Sequence, residues 1–468
     1  MTVTDRRPRI ATFAVGLEEY WGQFDGLRDD IVRYDQQLSE RLERLDVEVV
    51  SYGLVSNADE ARVAGEKLRR AKPDLLLVNL ATYATSTQVL PVVQAVGEPT
   101  LFVSLQPEPS MDHATVDTGA WLAFCGSCPM PEMAAAITRA GLPFRSVTGH
   151  LADTHAWERI GNWVDGARVR ANLRGARIGM LGHLYPGMLD LATDLSLVHH
   201  QFGAHVEVLE MDDLRVRVEA AENAAIDRVL AETLADFNVA DTVADEDLRW
   251  AAQVAVGLDV LVEDFNLDGL AYYYRGLDGG LYERLGAGMI LGASRLTARG
   301  VPCAGEYDLR TAIAMLVLER LGAGGSFTEL QALNFNDAVV EMGHDGPAHL
   351  AIASTQPILR GLGTYHGKRG HGVSVEFNVA HGPVTMLGLT QTADARFRFV
   401  VGEGRTVDGP LMRIGNTTSR VDVDRDPGVW VDDWCRAAPA HHWALGTGHR
   451  ADVLRCAADL LDIELMVV

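Results

Sequence analysis

Short apolar, β-capable runs alternate with longer polar-faced helical stretches through the first third of the chain. The runs are Arg9 to Val15, Val47 to Tyr52, Asp74 to Leu80 and Thr100 to Leu105, with Leu27 to Leu45 and Asn57 to Ala71 between them. Strands separated by helices of this length imply a parallel sheet covered on both faces. Near Arg177 the pattern restarts: RIGMLG reads as a strand, Met188 to Phe202 as a helix and HVEVLE as the next strand. Asp153 to Ala176 reads as helix plus connector, which places a domain boundary near Leu173. After Gly322 the texture changes. Val373 to Val379, Val384 to Leu389, Phe397 to Val401 and Leu411 to Ile414 read as short strands with turn residues between them, as in an antiparallel sheet or barrel. A last helix, Arg450 to Asp462, feeds the terminal strand ELMVV. The expected fold is therefore α/β: two Rossmann-like parallel-sheet domains, 1–173 and 174–322, then a mostly antiparallel, barrel-like β-rich domain, 323–468.

At 468 residues the chain is too long for one core. Its formal charge of −23 disfavours a phosphate-backbone partner, so no nucleic-acid partner is expected. The opening MTVTDRRPRIATFAVG has no long apolar stretch, so neither a signal peptide nor a membrane span is expected, and a cytoplasmic protein is. Five cysteines, an odd count, fit a reducing compartment rather than a disulfide scaffold. Cys125-Gly126-Ser127-Cys128 forms a CxxC that would be redox-active at a helix N-terminus; two small buried residues in a turn is the competing reading. No GxGxxG follows an opening strand and no GxxxxGK[ST] occurs, so no nucleotide cofactor is expected.

The segment VPCAGEYDLRTAIAMLVLERLGAGGSFTEL, Val301 to Leu330, carries the chemistry. Glu306 precedes a helix, Leu309 to Leu321, that is apolar on nearly every side and should be buried. Gly322 to Gly325 ends it, and Glu329 follows one short segment later. Carboxylates at both ends of a buried helix are costly unless paired, hydrogen-bonded or bound to a cation. His344 follows in EMGH, and His441-His442 appear in AAPAHHWALGTGH. Two carboxylates and two imidazoles suit a divalent ion of the manganese, cobalt or magnesium type. The spacing is not that of a zinc finger, and no HExxH is present.

GEYDLRTA, then GGSFTE, then GH, then AHH, in that order, resembles the metal-site signature of the L-arabinose isomerases, with the L-fucose isomerases as more distant relatives. The resemblance runs from about Tyr272 to the C-terminus and more faintly through the first half. It implies that Glu306, Glu329, His344 and His442 hold the metal, Mn²⁺ with Co²⁺ or Mg²⁺ as alternatives, with His441 competing with His442 by a one-residue shift. It also implies that Glu306 and Glu329 are the catalytic acid/base groups. The activity implied is aldose–ketose isomerisation of a sugar, with the metal on O1 and O2 and a proton or hydride moving between C1 and C2. Homo-oligomers, trimers or hexamers, are implied as well, because in this family the first domain completes a neighbour's pocket. The alternatives are an epimerase or lyase using the same metal-enediolate chemistry, or a non-catalytic sugar-binding protein.

Pocket positions depart from the family. Its NQTAHGG-like segment supplies a glutamine and a histidine, whereas Phe124-Cys125-Gly126-Ser127-Cys128-Pro129 stands here. The opening loop is Gly16-Leu17-Glu18-Glu19-Tyr20-Trp21, not GSQxLYG. Tyr272-Tyr273-Tyr274 stands where the family has one phenylalanine; a sugar platform and a core role are both open to these tyrosines. His199-His200 read as surface or packing residues, Asp308 as a helix cap rather than a ligand, Lys368-Arg369 as a solvated turn with phosphate or sugar-hydroxyl binding as the alternative, and Trp443 as a pocket-closing residue.

Overall fold

A computed structural model describes residues 6–275, 280–362 and 372–468. It divides into two compact units, Arg6–Ala171 and Asn172–Val468. The first holds a five-stranded parallel sheet of β1 (Arg9–Val15), β2 (Glu48–Val55), β3 (Leu75–Asn79), β4 (Thr100–Gln106) and β5 (Phe144–His150), in the order β2-β1-β3-β4-β5. That is a doubly wound order, which places binding loops at the C-terminal ends of the strands. β3 is buried along its whole length, as a strand covered on both faces should be.

In the second unit β6 (Arg177–Gly182), β7 (His205–Leu209), β9 (Gly269–Tyr273) and the two-residue β10 (Cys303–Ala304) form a parallel sheet in the order β10-β9-β6-β7. β8 (Asn238–Val239), β13 (Ile358–Gly361) and β14 (Val373–Glu376) form a small separate sheet. The remaining strands are β11 (Ser326–Asn334), β12 (Val339–Gly343), β15 (Gly382–Gln391), β16 (Phe397–Thr406), β17 (Ser419–Asp422) and β18 (His442–Thr447). They run β15-β18-β11-β12-β17-β16, and β15 pairs with β16, so the sheet closes on itself as an antiparallel barrel. β19 (Glu464–Val467) adds in parallel to β16. Two parallel-sheet α/β layers and a C-terminal, mostly antiparallel barrel are thus the observed fold class. Among the described residues no helix is long and apolar enough to cross a membrane.

Three expectations are corrected. Leu411 to Ile414 is not a strand; the final barrel strand before the His pair is β17. Gly409, Pro410 and Gly415 break the run, and Pro410 has no N–H to give a ladder. Met188 to Phe202 is helical only from Leu195, where Asp194 caps it by accepting from the N–H groups of Ser196 and Leu197. Its first part is a loop with one short turn, Leu189–Leu191. Trp443 does not close a pocket: it is buried in the barrel core, edge-on to Trp434 with ring centroids 5.2 Å apart. Lys368 and Arg369 lie outside the described residues. His199 and His200 are exposed on their helix.

Candidate metal centre

The barrel ladder gathers residues that are far apart in sequence. Glu329 on β11 stands directly opposite His442 on β18 and opposite Gly343 on β12, so His344 follows one residue beyond it. Residues facing each other across an antiparallel pair share a face. Phe327, two residues before Glu329 and so on the same side, forms the floor, with ring centroids 4.5 Å from His344 and 4.3 Å from His442. Gly343 is required here, because a Cβ would lie 1.8 Å from the carbonyl oxygen of Thr417.

Glu306 arrives from the parallel sheet. It follows β10 with φ +57°, and Tyr307 follows with φ +67°. Two consecutive non-glycine residues in the left-handed region cost roughly 1–2 kcal/mol each. The turn is held by Tyr307 N–H donating to the Tyr272 carbonyl at 3.0 Å and Asp308 N–H to that of Gly305 at 3.0 Å. The result points Glu306 at the histidines. Oε1 lies 3.9 Å from His344 Nε2, and Oε2 lies 3.5 Å from both His442 Nε2 and His441 Nε2. Glu329 Oε1 is 3.9 Å from His344 Nε2.

Asp308 is the cap of the helix Leu309–Arg320, as expected: it accepts from Thr311 N at 3.0 Å and from Thr311 Oγ1 at 2.7 Å. It does more than cap. Its Oδ2 also lies 3.1 Å from His442 Nδ1, with both side chains fully buried. That bond holds the proton on Nδ1 and leaves the Nε2 lone pair facing the carboxylates, the tautomer a metal ligand needs. Burial alone would raise the Asp308 carboxyl, but the His442 bond, the Thr311 N–H and the nearby Arg310 charge hold it below the usual range. Burial pushes the His442 imidazole down despite Asp308, so it is neutral.

His441 differs. Its Nδ1 lies 2.6 Å from Asp190 Oδ2, which also accepts its backbone N–H at 3.1 Å. Burial would lower this imidazole, but contacts with Glu306 and Asp190 raise it to about 9. Glu306, in contrast, is held low: burial opposes ionisation, and the three histidines outweigh it. Nothing in the sequence marked Asp190, which sits in the loop first read as helix. Arg310, buried beside Asp308 and Asp190, was also unmarked.

Glu329, His344 and His442 can each offer a ligand atom within 4.8 Å of the others, and so can Glu306, His441 and His442. His442 belongs to both sets and His441 to one. Glu306 Oε2, His441 Nε2 and His442 Nε2 are buried without a hydrogen-bond partner among the described residues. Each such atom costs about 1–3 kcal/mol. A convergence of them, from carboxylates and imidazoles, fits a divalent cation. The wall beside Glu306 is aromatic. Tyr273 packs on Tyr185 at 4.5 Å and on His183 at 5.3 Å, while Tyr272 is buried. Burial, then Tyr185 and the Glu306 charge, push the Tyr273 hydroxyl up to about 12.

Residues 193–324 match the family model of the L-arabinose isomerase central domain, and residues 348–468 that of the L-fucose isomerase C-terminal domain. A protein named L-arabinose isomerase from a Nocardioides species is 26% identical over 441 residues, covering 91% of this chain and 86% of its own. One of the same name from Clavibacter sepedonicus is 22% identical over 473 residues, covering 97% and 92%. Among solved structures, a periplasmic solute-binding protein from Actinobacillus succinogenes with bound D-allose aligns at 12% identity, covering 68% of this chain and 92% of its own; its TM-score of 0.18 carries no argument. By these matches the chain carries a segment like the L-arabinose isomerase central domain and one like the L-fucose isomerase C-terminal domain, and it is similar to L-arabinose isomerases over most of its length.

Proposed function

We propose that this isomerase interconverts an aldose and its ketose at a divalent-metal centre held by Glu306, Glu329, His344 and His442. The observation that supports it is two overlapping ligand sets that share His442, with Glu306 Oε2 and His442 Nε2 buried without a hydrogen-bond partner among the described residues, in a chain similar to L-arabinose isomerases along most of its length. A bound divalent cation, Mn²⁺ with Co²⁺ or Mg²⁺ as alternatives, supplies Lewis-acid polarisation of a carbonyl and its neighbouring hydroxyl. Glu306, ionised although largely buried, takes up the proton that must leave carbon or oxygen. Glu329, the more open carboxylate, serves the other side of the carbon pair. Asp308 keeps the His442 proton on Nδ1, and Asp190 fixes the His441 ring against Glu306. The three-part division at Leu173 and Gly322, and a homo-oligomer in which the first domain completes a neighbour's pocket, belong to the same proposal; light scattering that finds an active monomer would reject the shared pocket.

The aromatic wall and the missing first-domain glutamine and histidine bear on substrate choice. A site built to pair a hydroxyl rejects ligands lacking it by roughly 10⁴-fold, and a site without those partners loses that preference. L-Arabinose is expected to be a poor substrate, and a deoxy, shorter or otherwise modified sugar a better one. A panel of tetroses, pentoses, hexoses and deoxy sugars with Mn²⁺ tests both statements. Turnover of none, with metal bound, would overturn the isomerase reading; L-arabinose as the best substrate would overturn the substrate reading. Running the reaction in D₂O separates a proton route, which incorporates deuterium at carbon, from a hydride shift, which does not.

A further inference from the structure

The cysteine pair Cys125-Gly126-Ser127-Cys128 has no part in the metal chemistry, and its placement in the first unit is unlike that of two packing residues. Cys125 is buried and Cys128 exposed, with their sulfurs 3.5 Å apart. Cys125–Ser127 is one turn of 3₁₀ helix, and Cys128 N–H donates to the Cys125 carbonyl at 3.0 Å. Residues one such turn apart lie over each other, with Cα atoms under about 7 Å apart, inside the range a disulfide spans. Closing the bond to about 2.05 Å takes a movement of only about 1.5 Å.

The turn is built rather than loose. Gly126 lies so close to the end of β3 that a Cβ there would sit 2.0 Å from the Leu80 carbonyl oxygen. Ser127 Oγ is 3.0 Å from Ser104 Oγ on β4, and Thr82 Oγ1 donates to the Leu122 carbonyl at 2.8 Å. Pro129 follows, and the helix Met130–Arg139 begins immediately after it, so the exposed sulfur precedes a helix N-terminus. The pair therefore combines an exposed nucleophile, a buried partner in contact with it and a clamped backbone.

We propose that Cys125 and Cys128 form a reversible dithiol/disulfide centre that exchanges with small disulfides. Cys128 loses its proton and attacks one sulfur of the external disulfide; the S–S bond breaks, and the leaving thiolate takes up a proton. Cys125 then attacks the Cys128 sulfur of the mixed disulfide, its proton passing to the second leaving thiolate. The two cysteine thiols are oxidised to one disulfide, and the external disulfide is reduced to two thiols. Burial first, then the contact with Cys128, push Cys125 up to about 12, so it remains a thiol until the mixed disulfide forms beside it.

The test treats the reduced full-length chain with oxidised glutathione and maps all five cysteines by mass spectrometry. Loss of Cys125 and Cys128 together, in one linked peptide without glutathione and reversed by dithiothreitol, is expected. Cys435, also exposed, should carry glutathione instead and serves as the control. In Cys125→Ser the glutathione should remain on Cys128; in Cys128→Ser the buried Cys125 should stay unreacted while the protein is native. Stable glutathione on Cys128 of the parent chain, or independent alkylation of both thiols after oxidation, would overturn the proposal. The parent-chain map decides even where a variant fails to fold.

Discussion

Glu306→Gln and Glu329→Gln are each expected to lower turnover by roughly 10²- to 10⁴-fold with little change in folding. The substitution keeps volume and removes only the charge and the proton-accepting oxygen. Glu306 has more to lose, because its Oε2 faces two imidazoles at 3.5 Å and is buried without a partner. An amide there meets His442 and His441 with a dipole in place of a carboxylate. Its left-handed backbone is unaffected, since glutamine tolerates that conformation no better and no worse than glutamate. The assay is initial rate with added Mn²⁺ on whichever sugar of the panel the parent accepts, with thermal unfolding run in parallel. A near-parental rate in either variant would remove that residue from the acid/base role.

What the sequence reveals about this molecule follows the physical scale of each signal. Arg9–Val15 and Arg177–Gly182 are strands with the expected bounds, because a run buried on both faces of a parallel sheet is apolar throughout. The helix Leu309–Arg320 is legible for the same reason, and its apolar surface is what makes Glu306 and Glu329 conspicuous. β11 and β18 were not read as strands at all, although Glu329 and His442 ride on them. Their identity depends on ladder partners more than a hundred residues apart in the case of Glu329 and His442. The choice between His441 and His442 is of this kind. Alternation along β18 and its register with β11 settle which imidazole faces Glu329, and neither is written in the local pattern. Asp190 was hidden for another reason: its role comes from a loop that only the folded chain brings to His441. Asp308 lay between these extremes, legible as a cap and silent about the histidine it holds.

The histidine series should separate ligand, orienting partner and neighbour. His442→Asn is expected to abolish stoichiometric metal binding, because His442 is the one imidazole common to both candidate ligand sets. Asp308→Ala should weaken binding by roughly 10- to 100-fold without removing a ligand, the usual effect of losing a partner that orients a metal-binding imidazole. It should also cost stability: about 1 kcal/mol for the lost cap, and about 1–3 kcal/mol for leaving the fully buried His442 Nδ1–H unpaired. Because the folded Asp308 carboxyl is held below its ordinary value, the parent has that stabilisation in full above the unfolded carboxylate pKa and loses it as pH falls through the lower folded value. The difference in melting temperature between parent and Asp308→Ala should therefore be constant near neutrality and shrink in strong acid. His441→Asn should keep the metal, since Glu329, His344 and His442 make a ligand set without it, and should lose activity instead. Metal content after dialysis, read beside melting curves, gives the ordering. Loss of metal in His441→Asn with retention in His442→Asn would reverse the assignment along β18.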